Sequence, residues 1–101
     1  MILISHRGNT EGPNTKRENS ISYIQEALDL GLDVEIDIWA KEQLWLGHDK
    51  AENPCPMKFL IQNFRHLWIH CKNLEAMDLL SEFKILNYFW HESDDFALTS
   101  K

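Results

Sequence analysis

Leu32-Asp33-Val34-Glu35-Ile36-Asp37-Ile38 alternates apolar and acidic side chains without a break. Successive side chains of an extended strand point to opposite faces. Val34, Ile36 and Ile38 therefore share one face, and Asp33, Glu35 and Asp37 share the other. Residues i and i+2 of a strand stand about 7 Å apart on the same side. Two ionised carboxylates at that spacing repel each other unless a cation lies between them, and oxygen donors of this kind suit Mg²⁺ or Ca²⁺. The same alternation also fits a strand whose acidic face is merely solvated.

Outward from this strand, short apolar runs alternate with stretches of helical period. Ile2 to Ser5 reads as a first strand, followed by a polar loop from Arg7 to about Asn19. Asn19 or Ser20 can cap a helix whose Ile21, Ile24, Ala27 and Leu28 fall at helical spacing, with Gly31 as its stop. Leu44 to Leu46 reads as a short extra strand before Gly47-His48-Asp49. Pro56 fits the first turn of a helix to about Asn63. Leu67 to His70 is a third strand, and Asn73 caps a helix lined by Leu74, Met77 and Leu80. Ile85 to Trp90 is a fourth strand, Glu92 to Asp95 a polar segment, and Phe96 to Thr99 the start of a fifth strand.

This order predicts an α/β fold built of parallel β/α units, TIM-barrel-like, with four strands where a closed barrel has eight. The 101 residues form one domain spanning 1–101, the N-terminal half of such a barrel. A half barrel leaves bare strand edges. The expectation is a piece or a truncated relative of a longer protein, with a homo-oligomer of half barrels as the second option.

The chain is 44% hydrophobic and 26% charged, an ordinary globular mix, and carries a formal charge of −6. That balance, with a pI of 5.2, argues against broad binding to nucleic acid or anionic membranes. No apolar run approaches the roughly 20 residues of a membrane span, and MILISHRG lacks the basic start of a signal peptide. Cys55 and Cys71 sit in no ligand-spaced cluster and read as free thiols of a cytoplasmic protein. Trp39, Trp45, Trp68 and Trp90 lie in or beside strands and read as core packing, with sugar stacking a further role for Trp39 or Trp90.

The chemistry-bearing residues gather at strand ends. In a β/α barrel that rim carries the active site. His6 and Arg7 follow the first strand, Glu35 and Asp37 end the second, and His48 and Asp49 lie in the loop beyond it. His70 and Lys72 close the third strand, and His91 follows the fourth. His6 and His48 are candidates for an acid/base pair, because imidazole titrates near neutrality. Arg7 and Lys72 are candidates for holding phosphate oxygens. Glu18 either complements a helix start or orients Arg7 and the acids. His66, beside Arg65, reads as a surface residue.

ISHRGN (4–9), ENS (18–20), GLDVEIDIW (31–39) and LWLGHD (44–49), in that order and spacing, resemble the glycerophosphodiester phosphodiesterase family; LWIHCKN (67–73) continues the likeness more weakly. The resemblance implies a β/α barrel that hydrolyses phosphodiesters with a divalent metal ion, Mg²⁺ or Ca²⁺. The substrate would be a small phosphodiester such as a deacylated phospholipid. It implies that His6 and His48 are the acid and base, that Glu35 and Asp37 ligate the metal, that Arg7 and Lys72 touch the phosphate, and that Glu18 supports the site. Family members carry a further acidic metal ligand where this chain has His70. Histidine binds metals too, but moves the preference from Ca²⁺ toward softer ions. The alternative is a weak or inactive fragment that keeps the pocket as a phosphate-ligand binding module.

Overall fold

The computed structural model describes the backbone of residues 2–93 and 96–99, and the side chains of residues 2–89. Its elements are β1 (Ile4–His6), α1 (Ile21–Asp29), β2 (Asp33–Lys41), β3 (Gln43–Leu46), β4 (Asn53–Pro54), α2 (Met57–Gln62), a 3₁₀ turn (Phe64–His66), β5 (Leu67–Cys71), α3 (Leu74–Leu80), β6 (Tyr88–Ser93) and β7 (Phe96–Thr99). The acidic, alternating segment forms the longest strand and sits in the middle of the sheet. Residues Asp94 and Asp95 of the expected polar segment lie outside the described residues.

The seven strands described form one mixed sheet, in the order β4-β3-β2-β5-β6-β7, with β1 also paired to β2. β1, β2, β5 and β6 run parallel as neighbours. β3 runs antiparallel to β2, β4 antiparallel to β3, and β7 antiparallel to β6. This corrects the expected architecture: the fold is not a TIM-barrel-like run of parallel β/α units, nor half of such a barrel. The cause is local. Only Glu42, at φ 65°, separates β2 from β3, whereas a parallel return needs a crossover of a dozen or more residues. The chain can only fold back as a hairpin there.

All three helices lie on one face of the sheet. Val34, Ile36 and Ile38 of β2, Leu44 and Leu46 of β3, and Leu67, Ile69 and Cys71 of β5 meet Ile24 and Ala27 of α1, Phe59 and Leu60 of α2, and Ala76 and Leu80 of α3. Most of these side chains are fully buried. Removing apolar surface from water drives this packing, at roughly 1.5–3 kcal/mol per fully buried Val, Leu or Ile. Two expectations shift in detail. Ala76, not Leu74, faces the core from α3, and Leu74 is exposed. Ser20 flanks α1 without a side-chain cap, its hydroxyl donating to the Arg17 carbonyl instead. Asn73 does cap α3, its side chain accepting from the Ala76 amide.

The opposite face carries Asp33, Glu35, Asp37 and Trp39 of β2 and, through the parallel register, Trp68 and His70 of β5. Among the described residues no helix covers it. The three tryptophans whose side chains are described are half-buried and lie outside the apolar core cluster. Each directs its indole N–H to an acceptor: Trp39 to the Gly47 carbonyl, Trp45 to the Lys41 carbonyl, Trp68 to Asp33. The side chain of Trp90 lies outside the described residues. Cys55 and Cys71 are free and buried, and burial pushes both thiols up to about 12. Among the described residues no helix is long and apolar enough to cross a membrane.

Candidate functional site

Three neighbouring strands deliver the site. Glu35 and Asp37 share a face of β2, as their spacing requires. The β1 register sets His6 opposite Glu35, and the β5 register sets His70 opposite Asp37. Adjacent strands stand about 4.8 Å apart, so side chains from three strands converge on one patch. Donor atoms of Glu35, Asp37 and His70 all lie within 4.8 Å of one another.

Loops complete the patch. After β1 the backbone turns through Arg7 at φ 60° and Gly8 at φ 92°, and the Arg7 side chain folds back over Asp37. Its Nε lies 3.1 Å from Asp37 Oδ2 without hydrogen-bond alignment. Its other nitrogens donate to Glu18 Oε1 at 3.0 Å and meet His48 Nε2 at 3.3 Å. Glu18 also accepts from Asn9 Nδ2 at 3.0 Å. Glu18 thus accepts from both Arg7 and Asn9.

His48 arrives on the loop after β3. Gly47 N donates to the Asp37 carbonyl, and the Trp39 indole donates to the Gly47 carbonyl at 2.7 Å. A Cβ on residue 47 would stand 1.8 Å from the Lys50 carbonyl oxygen, so only glycine permits this tight loop. His48 Nδ1 then lies 3.6 Å from Asp37 Oδ2, and its Nε2 lies 3.7 Å from the exposed Asp49. A guanidinium can only donate, so His48 Nε2 is the acceptor in its contact with Arg7.

The two acids differ sharply. Asp37 is almost fully buried, yet Oδ1 accepts from His70 Nδ1 at 3.1 Å and Oδ2 accepts from Asn19 Nδ2 at 2.9 Å. Burial alone would raise its pKa. The hydrogen bonds from His70 and Asn19, aided by the charges of Arg7 and Lys72, outweigh it and hold Asp37 below the usual carboxylate range. Glu35 lacks this support. Its Oε1 is buried without a hydrogen bond. His6 Nε2 is 3.4 Å away but misaligned, and His70 Nδ1 is 3.8 Å from Oε2. Burial, then repulsion from Asp37, pushes Glu35 up to about 8 against the pull of Arg7 and Lys72. His6 is lowered, by partial burial first and then by Arg7.

No family model, curated protein or solved structure matches this chain.

Of the candidates named from sequence, His6, Arg7, Glu18, Glu35, Asp37, His48 and His70 therefore meet in one cluster, and the Lys72 charge reaches both β2 acids. His91 falls within β6, and its side chain lies outside the described residues. His66 stands apart with Asp33: its Nδ1 lies 2.9 Å from Asp33 Oδ1, while Trp68 donates to Oδ2. Asp33 shares the acidic face but serves this separate pair. Sequence reasoning missed Asn9 and Asn19. Asn19, at φ 58° and 1% exposed, grips Asp37 twice, the second time by accepting from the Asp37 amide at 3.0 Å. Its position in the E-N-S run was the available signal, but that run reads equally well as a helix cap.

A cleft of about 240 Å³ opens beside Arg7 and His48, lined also by Glu18, Asn19 and Lys50. Two wider depressions, of about 510 and 530 Å³, run along α3 and hold no histidine. Glu35, Asp37 and His70 lie close enough together to hold a metal ion. Two carboxylates and an imidazole converge, and one buried carboxylate oxygen lacks a hydrogen-bond donor, the demand a cation meets.

Proposed function

We propose that this protein is a metal-dependent phosphodiester hydrolase of the glycerophosphodiester phosphodiesterase type. One observation carries the reading: His6 and His48 flank the same pair of acids, the half-buried Glu35 and the buried Asp37, while Arg7 and Lys72 bring positive charge to that pair.

Glu35, Asp37 and His70 would hold the divalent ion, which when bound neutralises charge building on a non-bridging phosphate oxygen. Arg7, kept planar against Glu18 and Asp37, offers its remaining N–H groups to a second phosphate oxygen. Lys72 adds a point charge. His6, held toward its neutral form, accepts the proton of the attacking hydroxyl, from water or from the substrate's own neighbouring alcohol. That oxygen bonds to phosphorus as the bond to the leaving alcohol breaks. His48, beside the Arg7 cleft, donates the proton that the leaving oxygen takes up. A phosphate drawing Arg7 aside frees His48 Nε2, the acceptor toward Arg7 in the resting protein, to take up a proton from solvent and pass it to that oxygen. Proton transfers of this kind contribute about 10²–10⁴-fold each.

The test is turnover of a chromogenic phosphodiester and of glycerophosphodiesters with Mg²⁺, Ca²⁺ or Mn²⁺, comparing wild type with His6→Ala and His48→Ala. Metal-stimulated hydrolysis that falls at least about 100-fold in each variant is expected. Turnover indifferent to both substitutions, or absent with every ion, rejects the reading. Binding of a phosphodiester without turnover would instead mark a phosphate-binding module.

A further inference from the structure

Resting on the metal reading above, we propose that the Glu35–Asp37–His70 cluster selects a borderline first-row ion, of the Co²⁺ or Zn²⁺ class, over Mg²⁺ and Ca²⁺. The argument starts from His70. Its Nδ1 faces both acids, 3.1 Å from Asp37 Oδ1 and 3.8 Å from Glu35 Oε2. The ring cannot easily turn away. It stacks on Phe89 at 4.9 Å between centroids and 7° between planes, and its side chain is only 11% exposed. The β5–β2 register fixes its backbone directly opposite Asp37. A cation drawn to the two carboxylates displaces the hydrogen that Nδ1 gives to Asp37, which passes through solvent to leave the ring protonated at Nε2, and Nδ1 becomes its third donor.

Mg²⁺ and Ca²⁺ are hard ions that bind through oxygen, Ca²⁺ with six to eight donors. Three side chains, one of them nitrogen, serve such ions poorly. Imidazole suits Fe²⁺, Ni²⁺ and Zn²⁺, whereas Mn²⁺ shares the oxygen preference of Mg²⁺ and Ca²⁺, and affinities at mixed nitrogen and oxygen sites rise from Mn²⁺ through Fe²⁺ to Co²⁺. Three protein donors also leave coordination positions open for water and a phosphate oxygen, the pattern of a catalytic rather than a structural site. His70 thus replaces the Mg²⁺ or Ca²⁺ expected from the acids alone with a softer ion.

The test uses the whole chain, stripped of metal by chelator dialysis and titrated calorimetrically with MgCl₂, CaCl₂, MnCl₂, CoCl₂ and ZnCl₂. Co²⁺ should bind at least about 100-fold more tightly than Mg²⁺ in wild type. In His70→Glu that ratio should fall at least about tenfold as the site becomes all-oxygen. Imidazole ¹⁵N spectra of wild type with Zn²⁺ give a readout that needs no variant: the His70 Nδ1 resonance should move to the metal-bound position. An unmoved His70 resonance alongside Zn²⁺ binding, or an unchanged ratio in a folded His70→Glu protein, overturns the selectivity and leaves the metal reading intact. No binding of any ion overturns both.

Discussion

Glu35→Gln should make the metal-free protein more stable, increasingly so as pH rises, while abolishing its response to divalent ions. Glu35 is a buried carboxyl beside a second, ionised one, with an oxygen that no hydrogen bond reaches. In the unfolded chain it ionises near 4.5; in the folded protein it does so at about 8. Between those values the folded protein holds a proton that the unfolded chain has released, so stability falls as pH rises through the window. At 1.36 kcal/mol per pH unit, the cost to the folded state is roughly 3 kcal/mol at pH 7 and at most about 5 kcal/mol above pH 8. Glutamine has nearly the same shape and no charge to lose. Urea denaturation in EDTA at pH 4.5, 7 and 9 should therefore find the two proteins close at pH 4.5. At pH 7 the variant's midpoint should lie higher by roughly 2–3 M, taking a slope of about 1–1.5 kcal/mol/M for a chain of this size. Saturating Mn²⁺ should raise the wild-type midpoint, by about 2.7 kcal/mol of stability at 100 times the dissociation constant, and leave Glu35→Gln unmoved. A gap between the proteins that stays constant from pH 4.5 to 9 would refute the account of Glu35. An equal response of both proteins to Mn²⁺ would refute its part in the metal site.

Three further outcomes follow from the same geometry. Gly47→Ala would place a Cβ 1.8 Å from the Lys50 carbonyl, so the loop must shift and carry His48 away from Asp37. Activity should drop at least about tenfold with some loss of melting temperature, checked by kinetics and thermal unfolding together. Asn19→Gly keeps the positive φ of that residue but removes both bonds to Asp37; it should destabilise the protein by about 1–3 kcal/mol and raise the pKa of Asp37, read from carboxyl ¹³C shifts against pH. Cys55 and Cys71, buried with thiols near 12, should react with a disulfide reagent at pH 8 only after denaturant is added; prompt reaction in the native protein would contradict their placement.

How much of the site was legible depended on how local its causes were. Glu35 and Asp37 could be placed on one face because a strand's period of two is a property of the backbone itself. Trp39, Trp45 and Trp68 read as core because they are large and apolar, yet all three lie on the polar face with their indole N–H groups engaged. Period counting from Asp37 would have put Trp39 there. Asn19 was read as a helix cap because its hold on Asp37 spans 18 residues, and no local pattern shows which distant group an amide will meet. The topology miss has a different origin. A strand–helix alternation signals parallel pairing, but the one-residue link at Glu42 and the return of β7 on β6 make the sheet mixed.

The sequence by itself determined a strand from Leu32 to Ile38, which the structure begins at Asp33 and carries on to Lys41, its division into an apolar and an acidic face, and the helices that cover the apolar one. Those features follow from side-chain period and from the cost of leaving apolar surface in water, and both are written along the chain. Only the tertiary structure decided the antiparallel hairpin on β2, the pairing of His70 with Asp37, the folding of Arg7 over that acid, and the contrast between a satisfied Asp37 and an unsatisfied Glu35. These depend on strand register and on burial, which arise only when residues far apart in the chain are brought within hydrogen-bond reach.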